Sequence, residues 1–321
     1  MRAATASFLD WETDSSRWSH FRPRLGDIVI ATPPKCGTTW MQQIVASLVF
    51  QSAEPMQLGR ISPWIDNRGV AVDKAMEFID GQEHRRFLKS HLAADALPIH
   101  DEVRYIHVGR DGRDTALSWH NHQTGFRPEV LARFDEVGLA DPRIGRPHPR
   151  PAQDPADFFH DWLEGDPVRF NGYPASVYFA IERSFWALRD RPNVLLVHYN
   201  DMKSDLAGEM ARVAAFLEIE TPAALWPQLV EAARFETMQA NSAQIMPRAD
   251  RGFDGGGLRF FNKGFNGRWN GVYRAADLAA FEARVRAETT PALARWLEGG
   301  RLASGERRAV GVAGLTGDRG I

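Results

Sequence analysis

Short apolar runs separated by longer stretches of helical period set out the plan of this chain. Residues 27–32 (DIVIAT) form a compact β-branched run of the kind buried on both faces of a sheet, and PPKCGTT parts it from WMQQIVASLVF, whose apolar spacing is helical. RRFLK, VRYIHV and NVLLVHY are further strand candidates, each followed by a segment of helical character. Strands that alternate with helices predict a central parallel sheet flanked by helices, a three-layer α/β fold. The stretch 141–155 holds five prolines, which sustain neither helix nor central strand, so it reads as a surface loop or a lid. Residues 250–257 (DRGFDGGG) read as a second flexible connector. From Ala303 onward the chain is rich in Gly, Ala and Arg without periodicity. The expected organisation is one domain over residues 1–302, with no repeat and no linker, and a loose tail over 303–321.

Composition narrows the partners. With 321 residues, 44% hydrophobic and 25% charged, the chain is of ordinary globular make-up, and a formal net charge of -2 supplies no global basic field. Nucleic acid and an anionic membrane surface are therefore excluded as main partners, and any anion site must be local. The one cysteine, Cys36, excludes an intramolecular disulfide framework and cysteine-rich zinc sites, which fits a reducing, cytoplasmic setting. No stretch reaches the roughly 20 apolar residues of a membrane span, and the start, MRAATASFLDWETD, lacks the apolar core of a signal peptide.

The loop after the first strand, Pro33-Pro34-Lys35-Cys36-Gly37-Thr38-Thr39-Trp40, sets a lysine, a glycine and two hydroxyls where a helix begins. Free N–H groups and the positive dipole end favour a phosphate there, Gly37 lets the backbone approach it and Lys35 adds a full charge. The plainer reading is a helix start with a stray lysine. A Walker A loop is excluded by spacing, because its lysine directly precedes the hydroxyl residue whereas Cys36-Gly37 intervene here. A tyrosine-phosphatase-like C-x5-R loop is excluded as well, since Gln42 stands where the arginine would. Cys36 reads as a small buried cysteine and not as a nucleophile. Past VRYIHV, Arg110 lies at a strand end and Ser118 about two helical turns later, so the two can converge on one ligand, although Arg110 could equally pair with Asp111 or Asp114.

Together these motifs resemble the cytosolic-type sulfotransferase family, whose first loop reads like T-Y-P-K-S-G-T-T-W and whose second motif reads R-x-x-x-D-x-x-x-S. Two further elements follow: Lys89-Ser90-His91 matches the family's Lys-x-His, and Asn262-Lys263-Gly264-Phe265-Asn266-Gly267-Arg268-Trp269 matches R-K-G-x-x-G-x-W in part. The resemblance covers roughly residues 20–275 and implies a P-loop NTPase-like fold and a sulfotransferase activity. The implied donor is 3'-phosphoadenosine 5'-phosphosulfate (PAPS), with 3',5'-adenosine bisphosphate (PAP) as product and no metal. On that resemblance Lys35, Cys36, Gly37, Thr38 and Thr39 hold the 5' end, Trp40 faces the adenine, and Arg110 and Ser118 bind the 3'-phosphate. Tyr199 and Phe235 fall where the family has further nucleotide contacts, with core aromatics as the alternative, while Lys263 and Gly264 close over the 3'-phosphate. Asn262 departs from the family arginine and removes a charge-assisted contact typically worth about 1.5–3 kcal/mol; Arg259 and Arg268 are the candidates to replace it.

Histidine is suited to take a hydroxyl proton near neutral pH, and the Lys-x-His match makes His91 the expected base, with Lys35 and Lys89 stabilising the transferring group. His107, His120 and His122 do not read as a metal set, because i,i+2 side chains diverge on a helix. The acceptor is expected to be a small hydroxyl compound, apolar or amphiphilic, with Phe21 and Trp64 as walls of its pocket and the proline-rich stretch as its lid. The rival readings are a small-molecule kinase using ATP and a catalytically silent nucleotide-binding protein. The interface pattern K-x-x-x-T-V-x-x-x-E is not recognisable after Gly267, so the oligomeric state stays open.

Overall fold

The computed structural model describes residues 1–166, 170 and 172–303. Four strands form the sheet: β1 (Ile28–Ala31), β2 (Phe87–Ser90), β3 (Arg104–Gly109) and β4 (Val194–His198). Their order is β2-β1-β3-β4, every pair is parallel, and Ile30 stands opposite Lys89 on one side and Ile106 on the other. All four strands were legible in the sequence because each carries a short run of apolar residues that the sheet buries. In β1, Val29 and Ala31 face a core with Leu88, Tyr105 and Phe179, while Ile28 and Ile30 face a second core with Met41, Ile44, Ile106 and Val197. Alternate residues of one strand thus feed two helical layers, as in the expected three-layer α/β architecture.

Three local expectations are corrected. After β2 no α-helix follows: only a single 3-10 turn, Ala94–Ala96, separates it from β3, because residues 91–103 are too few to pack a crossover helix and include Pro98. The 250–257 connector is largely helical, through Ala249–Gly252 and Gly256–Phe260. The proline-rich stretch is a fixed strap and no lid. Arg68 reaches Asp141 at 2.6 Å, Arg150 reaches Asp135 at 2.6 Å, and buried His148 packs between Trp11 and Phe134. Ala303 ends the last helix, Pro291–Ala303; residues 304–321 of the expected tail lie outside the described residues.

Beneath the far end of the sheet, Arg86 and Asp27 pair at 2.5 Å with 1% and 2% of their side chains exposed. They stand just before β2 and β1, at the amino ends of the strands, and so the opposite, carboxyl ends are left open for ligand chemistry.

Candidate active site

Each strand delivers one piece of the site at its carboxyl end. β1 runs into the loop bearing Lys35, β2 into His91, β3 into Arg110 and β4 into Tyr199. Lys35 (φ +71) and Gly37 (φ +111) adopt left-handed backbone, which turns the chain sharply into the Thr38–Phe50 helix, and no side chain caps that helix start. Gly37 is required twice over, since a Cβ would also lie 3.2 Å from the Tyr199 ring. Thr32 and Thr38 share a 2.5 Å hydroxyl contact that pins the loop base. Arg110 donates to the Lys35 carbonyl at 3.0 Å and lies 4.1 Å over the Tyr199 ring, so the two anion motifs are physically joined.

One cleft collects Lys35, Gly37, Thr38, Thr39, Trp40, Trp64, Lys89, His91, Arg110, Ser118, Tyr199, Phe235, Asn262, Lys263 and Gly264. Trp40 donates its indole N–H to the Ala233 carbonyl at 2.7 Å and meets Tyr199 edge-on at 5.3 Å, forming an aromatic wall. Gly264 (φ +69) crosses so near Phe235 that a Cβ would stand 2.6 Å from its ring. Two nominated residues are elsewhere. Phe21 is 7% exposed and packs on Trp18 and the Arg86 guanidinium, at the amino end of the sheet, so it is no wall of this cleft. The Cys36 side chain turns into the core, 3.4 Å from Thr115 Oγ1, where burial pushes its thiol pKa well up and leaves it unreactive.

His91 Nδ1 lies 2.8 Å from the Thr32 carbonyl, an acceptor, so Nδ1 carries the proton and Nε2 presents a lone pair. Burial, then the charge of Lys89, hold the His91 pKa well below its usual value, and the ring is neutral at physiological pH. Lys89 Nζ sits 4.2 Å over the Trp64 ring, whose edge meets His91 at 5.1 Å. Burial lowers Lys89 to about 8, against the opposing pull of Glu12 and Asp66, and lowers Lys35 to about 7, with Lys89 and Arg110 adding repulsion. Cations gathered and desolvated in this way are costly without an anion to offset them.

The structure adds residues that the sequence reading did not nominate: Glu12, Trp119, His122, Tyr173 and Phe260 also line the cleft. His122 Nδ1 is 3.4 Å from Lys35 Nζ. A signal for it was present, because Ser118 and His122 are four apart on the Gly112–Gln123 helix and share a face. Glu12 and Tyr173 gave none, being brought in only by tertiary packing.

A sulfotransferase domain model matches residues 25–289. The chain belongs to the sulfotransferase family. Glycolipid sulfotransferases of Mycobacterium bovis and Mycobacterium tuberculosis are each 32% identical to it, covering 90% of this chain and 92% of theirs. The human sulfotransferase 1E1 is 25% identical over 80% of this chain and 81% of its own. Among solved structures, a mouse sulfotransferase complexed with PAP superposes with a TM-score of 0.64 at 20% identity, over 88% of this chain and 90% of that one. A retinol dehydratase in complex with androsterone and PAP gives 0.67 at 19% identity, over 86% and 84%. The sulfotransferase fold is thus shared at low identity, and as a family member this chain is an enzyme of that class. No described helix is long and apolar enough to cross a membrane.

Proposed function

We propose that this enzyme moves the sulfuryl group of PAPS to a hydroxyl of a small amphiphilic acceptor, with His91 as the general base. The observation that carries this reading is a neutral His91, its Nε2 unprotonated, in one cleft with Lys35 and Lys89. The nucleotide supplies a sulfuryl group activated by its link to the 5'-phosphate. His91 Nε2 takes the acceptor proton as the hydroxyl oxygen bonds to sulfur, and the sulfur–oxygen bond to the phosphate breaks with its electron pair going to the nucleotide. Lys35 and the uncapped helix start at Thr38 lie against the oxygens on which that charge grows, and Lys89 against the transferring group. The residues fit such a donor: desolvated cations are costly without an anion, and the Trp40, Tyr199 and Phe235 walls suit a purine ring.

The amphiphilic class is favoured by a groove that shares Thr39, Trp64 and Lys89 with the cleft and runs past Val70, Phe78 and Met246. Val70 and Phe78 are 45% and 44% exposed, an apolar track on which an acceptor's hydrocarbon could lie with its hydroxyl near His91. The names of the mycobacterial relatives point the same way. Trp64 stands between groove and cleft as the pocket wall, and the lone, buried Cys36 suits a cytoplasmic setting.

The test is the thermal midpoint measured with PAP, ADP and ATP-magnesium at matched excess. A midpoint rise with PAP and little with ADP is expected; a rise with ATP-magnesium alone would favour a kinase. His91→Ala is expected to lower turnover about 10²- to 10⁴-fold while the PAP-induced rise is kept. Unchanged turnover would remove His91 from the chemistry.

A further inference from the structure

Asn262 leaves this chain without the cation that the family motif carries, and the fold brings another arginine to the same wall. Gly264 (φ +69) and Gly267 (φ +79) both take left-handed backbone and redirect the chain within residues 262–269. The Gly267 N–H donates to Asp114 Oδ1 at 2.8 Å, which ties this loop to the helix bearing Ser118. Arg268, the next residue, thereby lines the cleft beside Arg110, Ser118 and Lys263.

Its neighbours are committed elsewhere. Arg259 donates to the Asn121 carbonyl at 3.0 Å and to Thr124 Oγ1 at 2.8 Å, and it does not line the cleft. Arg113 is held by Asp111 and lies 4.3 Å over Trp269. Arg268 has no hydrogen bond or ion pair among the described residues, and the contact it does make is with the Phe265 ring at 5.8 Å. Burial, then the charge of Arg110, oppose its protonated form, while Asp114 and Tyr273 favour it. Close by, the Arg110 fork already grips an oxygen: Nε and Nη2 donate to Asn266 Oδ1 at 3.0 and 2.6 Å. That oxygen marks where the Arg110 fork can hold an acceptor atom of a phosphate.

Resting on the donor reading above, we infer that Arg268 binds the 3'-phosphate of the nucleotide and supplies the charge that Asn262 lacks. A planar guanidinium suits this role, since two parallel N–H groups match two phosphate oxygens. Arg268 lies six residues beyond Asn262 in sequence, and both line the one cleft.

Calorimetric titration of the full chain with PAP and with 5'-AMP, which differ by the 3'-phosphate, tests the assignment. Wild type is expected to prefer PAP, and Arg268→Gln to lower PAP affinity about 10- to 100-fold with AMP affinity unchanged. Adding Asn262→Arg to Arg268→Gln is expected to restore the preference. An unchanged PAP-to-AMP ratio in Arg268→Gln would overturn the inference, and so would an equal loss for both nucleotides, the mark of a merely structural role. A wild-type chain that binds PAP no better than AMP would instead overturn the donor reading itself.

Discussion

Lys35 should make the free enzyme less stable than it could be. Its ammonium is moved from an ordinary pKa of 10.5 to about 7, first by burial and then by Lys89 and Arg110, so folding without a nucleotide opposes its charge. Taken over that whole interval, the penalty has a ceiling of about 5 kcal/mol. The head retains some access to water in the cleft, and screening brings the realised cost to about 1–2 kcal/mol. Lys35→Met removes the charge and keeps an unbranched side chain over the Phe260 ring, which Lys35 Nζ approaches to 4.8 Å. The variant is expected to melt about 2–3 °C above wild type at pH 7. The sign in pH follows from linkage. Because the folded pKa is the lower one, the unfolded chain binds the proton more tightly between about pH 7 and 10.5, and wild-type stability from this group rises with pH across that window. The gap between variant and wild type should therefore be widest at or below pH 7 and narrow toward pH 9–10. Scanning calorimetry at pH 7, 8 and 9, with and without PAP, reads all of this. With saturating PAP the order should reverse, since wild type alone gains the bound anion. A variant that melts below wild type at pH 7 without nucleotide, or a gap independent of pH, would refute the reasoning.

Two further outcomes follow from packing. Gly264→Ala would force a side chain onto φ +69 and a Cβ to 2.6 Å from the Phe235 ring, so PAP affinity measured by titration should fall about 5- to 30-fold and the melting temperature by about 2–3 °C. Arg86→Met strands the buried Asp27 carboxylate and should cost about 3–5 kcal/mol, a drop of about 5–7 °C in calorimetry. Its turnover at 25 °C should match wild type, because that pair lies at the end of the sheet remote from His91; lost activity in the folded variant would contradict this division.

What was legible in the sequence is what is local in it. A strand, a turn and a helix start are contiguous, so the Lys35 loop could be read from PPKCGTTW, and the Arg110–Ser118 spacing from helical period. The four strands were equally visible because both of their faces are buried. Phe21 misled because its surroundings are set by Trp18 and by Arg86, which comes from the other side of a long crossover. Glu12 and Tyr173 were invisible for the same reason: their place in the cleft depends on how segments far apart in sequence pack, and no periodicity encodes that. The proline-rich stretch was correctly read as non-helical, but only the partners of Asp141, His148 and Arg150 show that it is strapped down away from the cleft.

The grip of Arg110 on Asn266 bears on the pace of turnover. In the free enzyme that amide oxygen occupies the guanidinium fork, while its Nδ2 donates to Asn200 Oδ1. If Arg110 holds the nucleotide as proposed, an entering phosphate must exchange with a tethered rival, and a departing product leaves Arg110 to a partner already within reach. On that reading some binding strength is given up on arrival and returned as faster exit, and Asn266 would shorten the time the spent nucleotide blocks the next cycle.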